Sequence, residues 1–115
     1  GLSFSIKDNQ NIKIHLIIAI FVLIFSLFLN FTRYEIFSVS LLIVLVISAE
    51  MINTAIEEVV NLLVNEHRKE AKIAKDVSAG MVLFISIFAF AVGLIIFIPH
   101  IINLLKSFLP QILVE

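Results

Sequence analysis

The sequence predicts an all-α integral membrane protein with three transmembrane helices, on three observations. A chain of 115 residues is 61% hydrophobic with a mean hydropathy of +1.14, more apolar surface than a domain of this size can hide in its own interior. Its apolar residues gather into three long runs, and the connectors between those runs are short and charged.

The first run covers residues 14–31 and is interrupted only by His15, Ser26 and Asn30, close to the roughly 20 residues needed to cross a bilayer core. The second is apolar from 36 to 49, then continues as a mixed helix through Glu50, Asn53, Glu57 and Glu58 to about residue 65. The third runs from 77 to 98 and meets Pro99. Isoleucine, valine and phenylalanine are frequent, so strands need weighing. Barrel strands need only about 9–11 alternating residues, and these runs are longer and do not alternate. Connectors at 30–35 and 67–76 force an up-down-up arrangement. Beyond Pro99, residues 101–110 read as a short apolar segment with two proline breaks, too short to span and suited to the outer interface. The chain divides into a three-helix membrane domain, 1–104, and a short C-terminal tail, 105–115.

Basic residues set the orientation. Lys7 and Lys13 flank the first helix and Arg68, Lys69, Lys72 and Lys75 fill the second connector, against Arg33 and Lys106 on the other side. The N-terminus and second connector are therefore expected at the cytoplasmic face and the tail outside. Residues 1–10 are polar and lack the hydrophobic region of a signal peptide. A first residue of glycine is consistent with a fragment, a processed product or a trimmed chain.

Several chemistries are excluded. A net charge of −1 offers no field for nucleic acid. The absence of cysteine removes disulfides, thiolate metal sites and thiol nucleophiles. Three glycines, Gly1, Gly80 and Gly93, cannot build a phosphate-cradling loop, so nucleotide chemistry would depend on side chains.

The candidate site is a polar stripe on helix two. At about 100° per residue, Glu50, Asn53, Glu57 and Asn61 share one face, with Thr54 at its border and Glu58 further round. Such a stripe can be a polar seam between helices or the solvated end of a long one. It can also be a functional site, since intramembrane carboxylates cost several kcal/mol unless they gain partners or water. Glu50 follows fourteen uncharged residues, which favours the functional reading there. Glu50 and Glu57 stand about 10 Å apart along the axis, too far to share one metal and suited to two jobs at two depths. Glu57 could hold a hard cation such as Mg²⁺, and Glu50 could accept a proton from a lipid hydroxyl. Lys75 and Asp76 are expected where helix three begins, a place that favours an anion, with Asp76 able to cap the helix. Taken singly, Lys72 and Lys75 can equally be products of the orientation bias, and His15 and His100 read as interfacial or structural.

The pattern Glu50-x-x-Asn53-Thr-Ala-Ile-Glu57, with Lys75-Asp76 inside Ala71-Lys-Ile-Ala-Lys-Asp-Val-Ser-Ala-Gly80, resembles the prokaryotic diacylglycerol kinase family, which includes undecaprenol kinases. Asn11-Ile-Lys-Ile-His15 and Ile96-Phe-Ile-Pro99 also fit, and the likeness covers roughly residues 1–101. The resemblance implies a homotrimer of three-helix subunits with active sites at subunit interfaces in the bacterial cytoplasmic membrane, each subunit having an N-terminal surface helix, here largely missing. It implies Mg-ATP as phosphoryl donor and a lipid alcohol, undecaprenol or diacylglycerol, as acceptor. By that likeness Glu50 is the catalytic base at the lipid substrate, Asn53 orients groups around it and Glu57 binds the metal. Lys75, with Asp76 beside it, contacts the transferred phosphate, while Glu66, His67 and Arg68 belong to the nucleotide-binding segment. Two positions depart from the family pattern. Asn9, with Asp8 adjacent as a substitute, stands where a second metal-binding glutamate is usual, and Asn61 stands where aspartate is usual. Rival readings are an ion pathway or other non-catalytic bundle, since an aligned polar stripe can line a pore, and a degenerate kinase that retains lipid binding.

Overall fold

The computed structural model describes residues 1–4, 10–63 and 68–113, with side-chain surroundings given to residue 109. Three helices account for nearly all of them: α1, Gln10–Phe28; α2, Arg33–Leu63; and α3, Lys69–Leu113. Each is long and apolar enough to cross a membrane. At 1.5 Å per residue α3 is about 68 Å long, matching the molecule's longest dimension of 69 Å and more than twice a hydrocarbon core of about 30 Å. Among the described residues there is no strand.

Helix α2 packs against both neighbours, more extensively against α3, while α1 and α3 touch little. Few side chains are buried, and large apolar ones such as Phe21, Phe28, Phe84 and Ile95 point outward, as expected where lipid is the solvent. The tightest apolar cluster lies at the α1–α2 turn, where Leu29, Phe31 and Val39 meet Ile96, Phe97, Ile101 and Leu104 of α3.

That turn is built from local hydrogen bonds. Asn30 takes a left-handed backbone with φ 58°, the conformation that ends a helix in a Schellman motif. The Asn30 amide donates to the Leu27 carbonyl at 3.2 Å and the Phe31 amide donates to that of Ser26 at 3.1 Å. Helix α2 then opens with a reciprocal cap. The Glu35 amide donates to Thr32 Oγ1 at 3.2 Å, and the Thr32 amide donates to Glu35 Oε1 at 2.9 Å.

Two boundaries differ from expectation. Residues 69–76, expected in a connector, form the first turns of α3. Their Lys, Glu and Ala content favours helix, and Ala71, Ala74, Lys75 and Ser78, the better-covered positions, recur at the spacing of one helix face. Helix α3 also continues through Pro99 and Pro110 to Leu113, so the expected breaks are absent. Proline removes one backbone hydrogen bond, but Ile96 and Phe97 before it and Ile101 and Leu104 after it pack on the same cluster. That packing holds the axis across the missing bond.

Candidate active site

The polar stripe faces a cleft of roughly 350 Å³ beside the N-terminal end of α1. Glu50, Asn53, Thr54, Glu57 and Glu58 of α2 line one side, and Gln10, Asn11 and Phe4 the other. Glu50, Asn53 and Glu57 therefore come together as the spacing predicts. Glu58, placed further round by the helical wheel, also reaches the cleft wall.

Glu50 is the buried acid of the group, with 6% of its surface exposed. Its Oε1 lies 3.6 Å from His15 Nε2, within ion-pair range but longer than a hydrogen bond. Thr54 donates its hydroxyl proton to the Glu50 carbonyl at 3.0 Å. His15 also lines a second, apolar crevice of about 500 Å³, among residues such as Ile18, Val22, Ile43, Phe90 and Phe97. The His15–Glu50 contact thus joins the polar cleft, which Glu50 lines, to the apolar crevice, which His15 lines.

A short hydrogen-bonded row fixes the middle of the stripe. Asn53 Nδ2 donates to Glu57 Oε1 at 3.2 Å, and Ser78 Oγ on α3 donates to Asn53 Oδ1 at 2.6 Å. Further along, Lys75 Nζ donates to Asn61 Oδ1 at 2.7 Å. A neutral amide holds this ammonium in place without cancelling its charge, which leaves Lys75 able to attract a phosphate oxygen.

Asp76 does not stand where the sequence places it. It is the eighth residue of α3 rather than its cap, so neither it nor Lys75 is at a helix N-terminus, and the expected anion site at that terminus is not formed. Its exposed carboxylate pairs with Lys72 at 3.7 Å, a surface contact of little energetic weight. Arg68 is exposed and precedes α3, its carbonyl accepting from the Lys72 amide at 3.1 Å. Asp8, Asn9, Glu66 and His67 lie outside the described residues.

Among the described residues no three His, Asp or Glu side chains gather to hold a metal ion by themselves. Mg²⁺ does not require that, because it binds through one or two carboxylates together with waters and substrate phosphates. Glu57, with Glu58 beside it on the cleft, has the matching hard-oxygen chemistry.

His15 and Ser78 are contributors that the stripe alone does not reveal. His15 is a polar residue at the start of an apolar run. Ser78 follows Lys75 by three positions on a face that becomes legible only once residues 69–76 are taken as helix.

The chain is similar to known proteins over most of its length. A family profile described as prokaryotic diacylglycerol kinase matches residues 1–97. The undecaprenol kinase of Bacillus subtilis is 34% identical over 99 residues, covering 86% of this chain and 80% of that protein. A diacylglycerol kinase of Synechocystis sp. is 34% identical over 106 residues, 91% of this chain, which spans 61% of that relative's length. No solved structure matches significantly.

Proposed function

The chain belongs to the prokaryotic diacylglycerol kinase family and is a membrane lipid kinase, and we propose that it transfers the γ-phosphoryl group of Mg-ATP to undecaprenol or diacylglycerol at the cytoplasmic face of a bacterial membrane. The observation that carries this reading is the buried Glu50 carboxylate at the meeting point of the polar cleft and the apolar crevice.

A lipid alcohol whose chain occupies the crevice presents its hydroxyl at Glu50, while the polar cleft receives the phosphates. Glu50 takes the hydroxyl proton as the lipid oxygen bonds to the γ-phosphorus and the bond to the β-phosphate oxygen breaks, releasing ADP. Glu57 would hold Mg²⁺ through its carboxylate, and Asn53 orients Glu57 through the 3.2 Å contact. Bound there with ATP, Mg²⁺ would supply charge neutralisation for the phosphoryl transfer. Lys75 adds a point charge to the transferred group.

The same proposal includes Glu66, His67 and Arg68 as a nucleotide-binding segment, and Asn9 or Asp8 as a second metal contact. Arg68, Lys75 and Asp76 do not line the cleft of their own chain, and the reading includes a homotrimer in which a neighbouring subunit completes each site. Both acceptors are named among relatives at 34% identity, and undecaprenol is taken as the preferred one because the chain spans 80% of the relative named for it against 61% of the other.

The test is incubation of purified protein with Mg-ATP and each lipid, following phosphorylated product. Turnover of undecaprenol above that of diacylglycerol is expected. Equal, negligible turnover of both would overturn the assignment.

A further inference from the structure

We propose that Ser78 is a positioning residue for Glu57, acting through Asn53 across the α2–α3 interface. This rests on the reading of Glu57 as the metal-holding carboxylate.

The direction of the row follows from what each group can donate. A carboxylate only accepts hydrogen bonds, so the Asn53 amide must turn its nitrogen toward Glu57, 3.2 Å away. Its oxygen then faces Ser78, whose single hydroxyl proton must be given to it at 2.6 Å. A helical serine ordinarily gives that proton to a carbonyl in its own preceding turn. The Lys75 carbonyl is available here at 3.0 Å, yet the contact across the interface is the shorter one. Ser78 is also 3% exposed, so water does not replace it readily as donor. Bonds in such a row polarise one another. Ser78 thereby fixes the rotamer of Asn53, and Asn53 fixes one oxygen of Glu57 and so the aim of the carboxylate into the cleft. Lys75 and Ser78 share one face of α3, so a single helix segment sets the phosphate-facing cation and orients the metal-facing carboxylate.

The probe is Mn²⁺ with a non-hydrolysable ATP analogue, titrated onto purified protein in detergent micelles and followed by electron paramagnetic resonance. Ser78→Ala is expected to weaken Mn²⁺ binding about 10-fold, the lower end of the effect of losing an outer-shell partner, since Ser78 acts one bond further out through Asn53. It should raise the Mg²⁺ needed for half-maximal kinase rate by a similar factor, with the KM for lipid unchanged. Ser78→Thr, which keeps the hydroxyl, should stay near the parent in both measurements. Parent-like Mn²⁺ affinity in Ser78→Ala would overturn this proposal alone. So would equal impairment of both variants, or a loss of helicity by circular dichroism that accounts for the weaker binding. A parent protein that binds no Mn²⁺ would overturn the metal role of Glu57 together with it.

Discussion

Replacing Glu50 by glutamine removes a charge and a proton acceptor while keeping the shape of a buried side chain. Glu50 is 6% exposed, and its carboxylate has His15 Nε2 at 3.6 Å. An amide oxygen can occupy the same place, so Glu50→Gln should retain the helical content of the parent. On the proposed role, what it loses is proton acceptance in the transition state. General bases contribute about 10²–10⁴-fold, which corresponds to roughly 3–5 kcal/mol of barrier. Glu50→Asp is the sharper probe, since it keeps the charge and withdraws the carboxylate by about one methylene. A misplacement of about 1 Å can cost on the order of 100-fold. Both variants should therefore lose kcat with little change in the KM for ATP, because the nucleotide phosphates are assigned to the Glu57 and Lys75 end of the stripe. The assay is phosphoryl transfer from labelled ATP to lipid in mixed micelles, with circular dichroism on the same samples. Glu50→Gln retaining more than about a tenth of parent turnover, a barrier change under about 1.4 kcal/mol, would refute the base assignment.

Three further outcomes follow from the geometry. Lys75→Met keeps the length of the side chain without its charge and should lower kcat/KM for ATP by at least about 10-fold, since hydrogen bonds to a phosphate from a charged donor are the strong ones; steady-state kinetics at varied ATP checks this. Asn30→Gly should leave stability near the parent, whereas Asn30→Val, forced to φ 58°, should cost roughly 1–2 kcal/mol, read by denaturant unfolding in micelles. His100→Ala should lower the thermal midpoint without moving the KM for ATP or lipid. It removes a ring whose Nε2 lies 2.8 Å from Glu35 Oε2 and whose centroid stands 4.4 Å from that of Phe31, at the opposite end of the bundle from the cleft.

Much of the fold is legible because lipid imposes a simple demand, that a spanning segment be long and apolar. The three runs satisfy it without reference to one another. The stripe is legible for the same reason, since polar residues inside such a run stand out, and helical spacing places Glu50, Asn53 and Glu57 together. Helix ends are harder to read. Residues 69–76 look like a connector because they are charged, but charge marks the membrane boundary rather than the end of a helix. Pro99 looks like a stop, and only the packing of Phe97 before it and of Ile101 and Leu104 after it on the cluster around Phe31 shows why the helix passes through it. The Thr32-x-x-Glu35 cap carries a recognisable sequence signature. The second partner of Glu35 does not, because His100 lies 65 residues away. Ser78 is hidden by the same kind of distance, 25 residues from Asn53, and its role depends on how α2 and α3 face each other.

The polar contacts between helices have a consequence for assembly as well as for chemistry. In lipid, apolar faces gain little by meeting one another, so association depends on close packing and on hydrogen bonds between helices. Here α2 is pinned to α3 by Asn53–Ser78 and Asn61–Lys75 toward one end and by Glu35–His100 at the other. These bonds select one sliding position and one rotation for each helix among the many that an isoleucine- and phenylalanine-rich surface would tolerate. Side chains assigned to catalysis are thus also the marks by which the helices find their alignment during insertion. A polar-to-apolar change at Asn53 or Lys75 should therefore reduce the yield of correctly assembled protein as well as its rate.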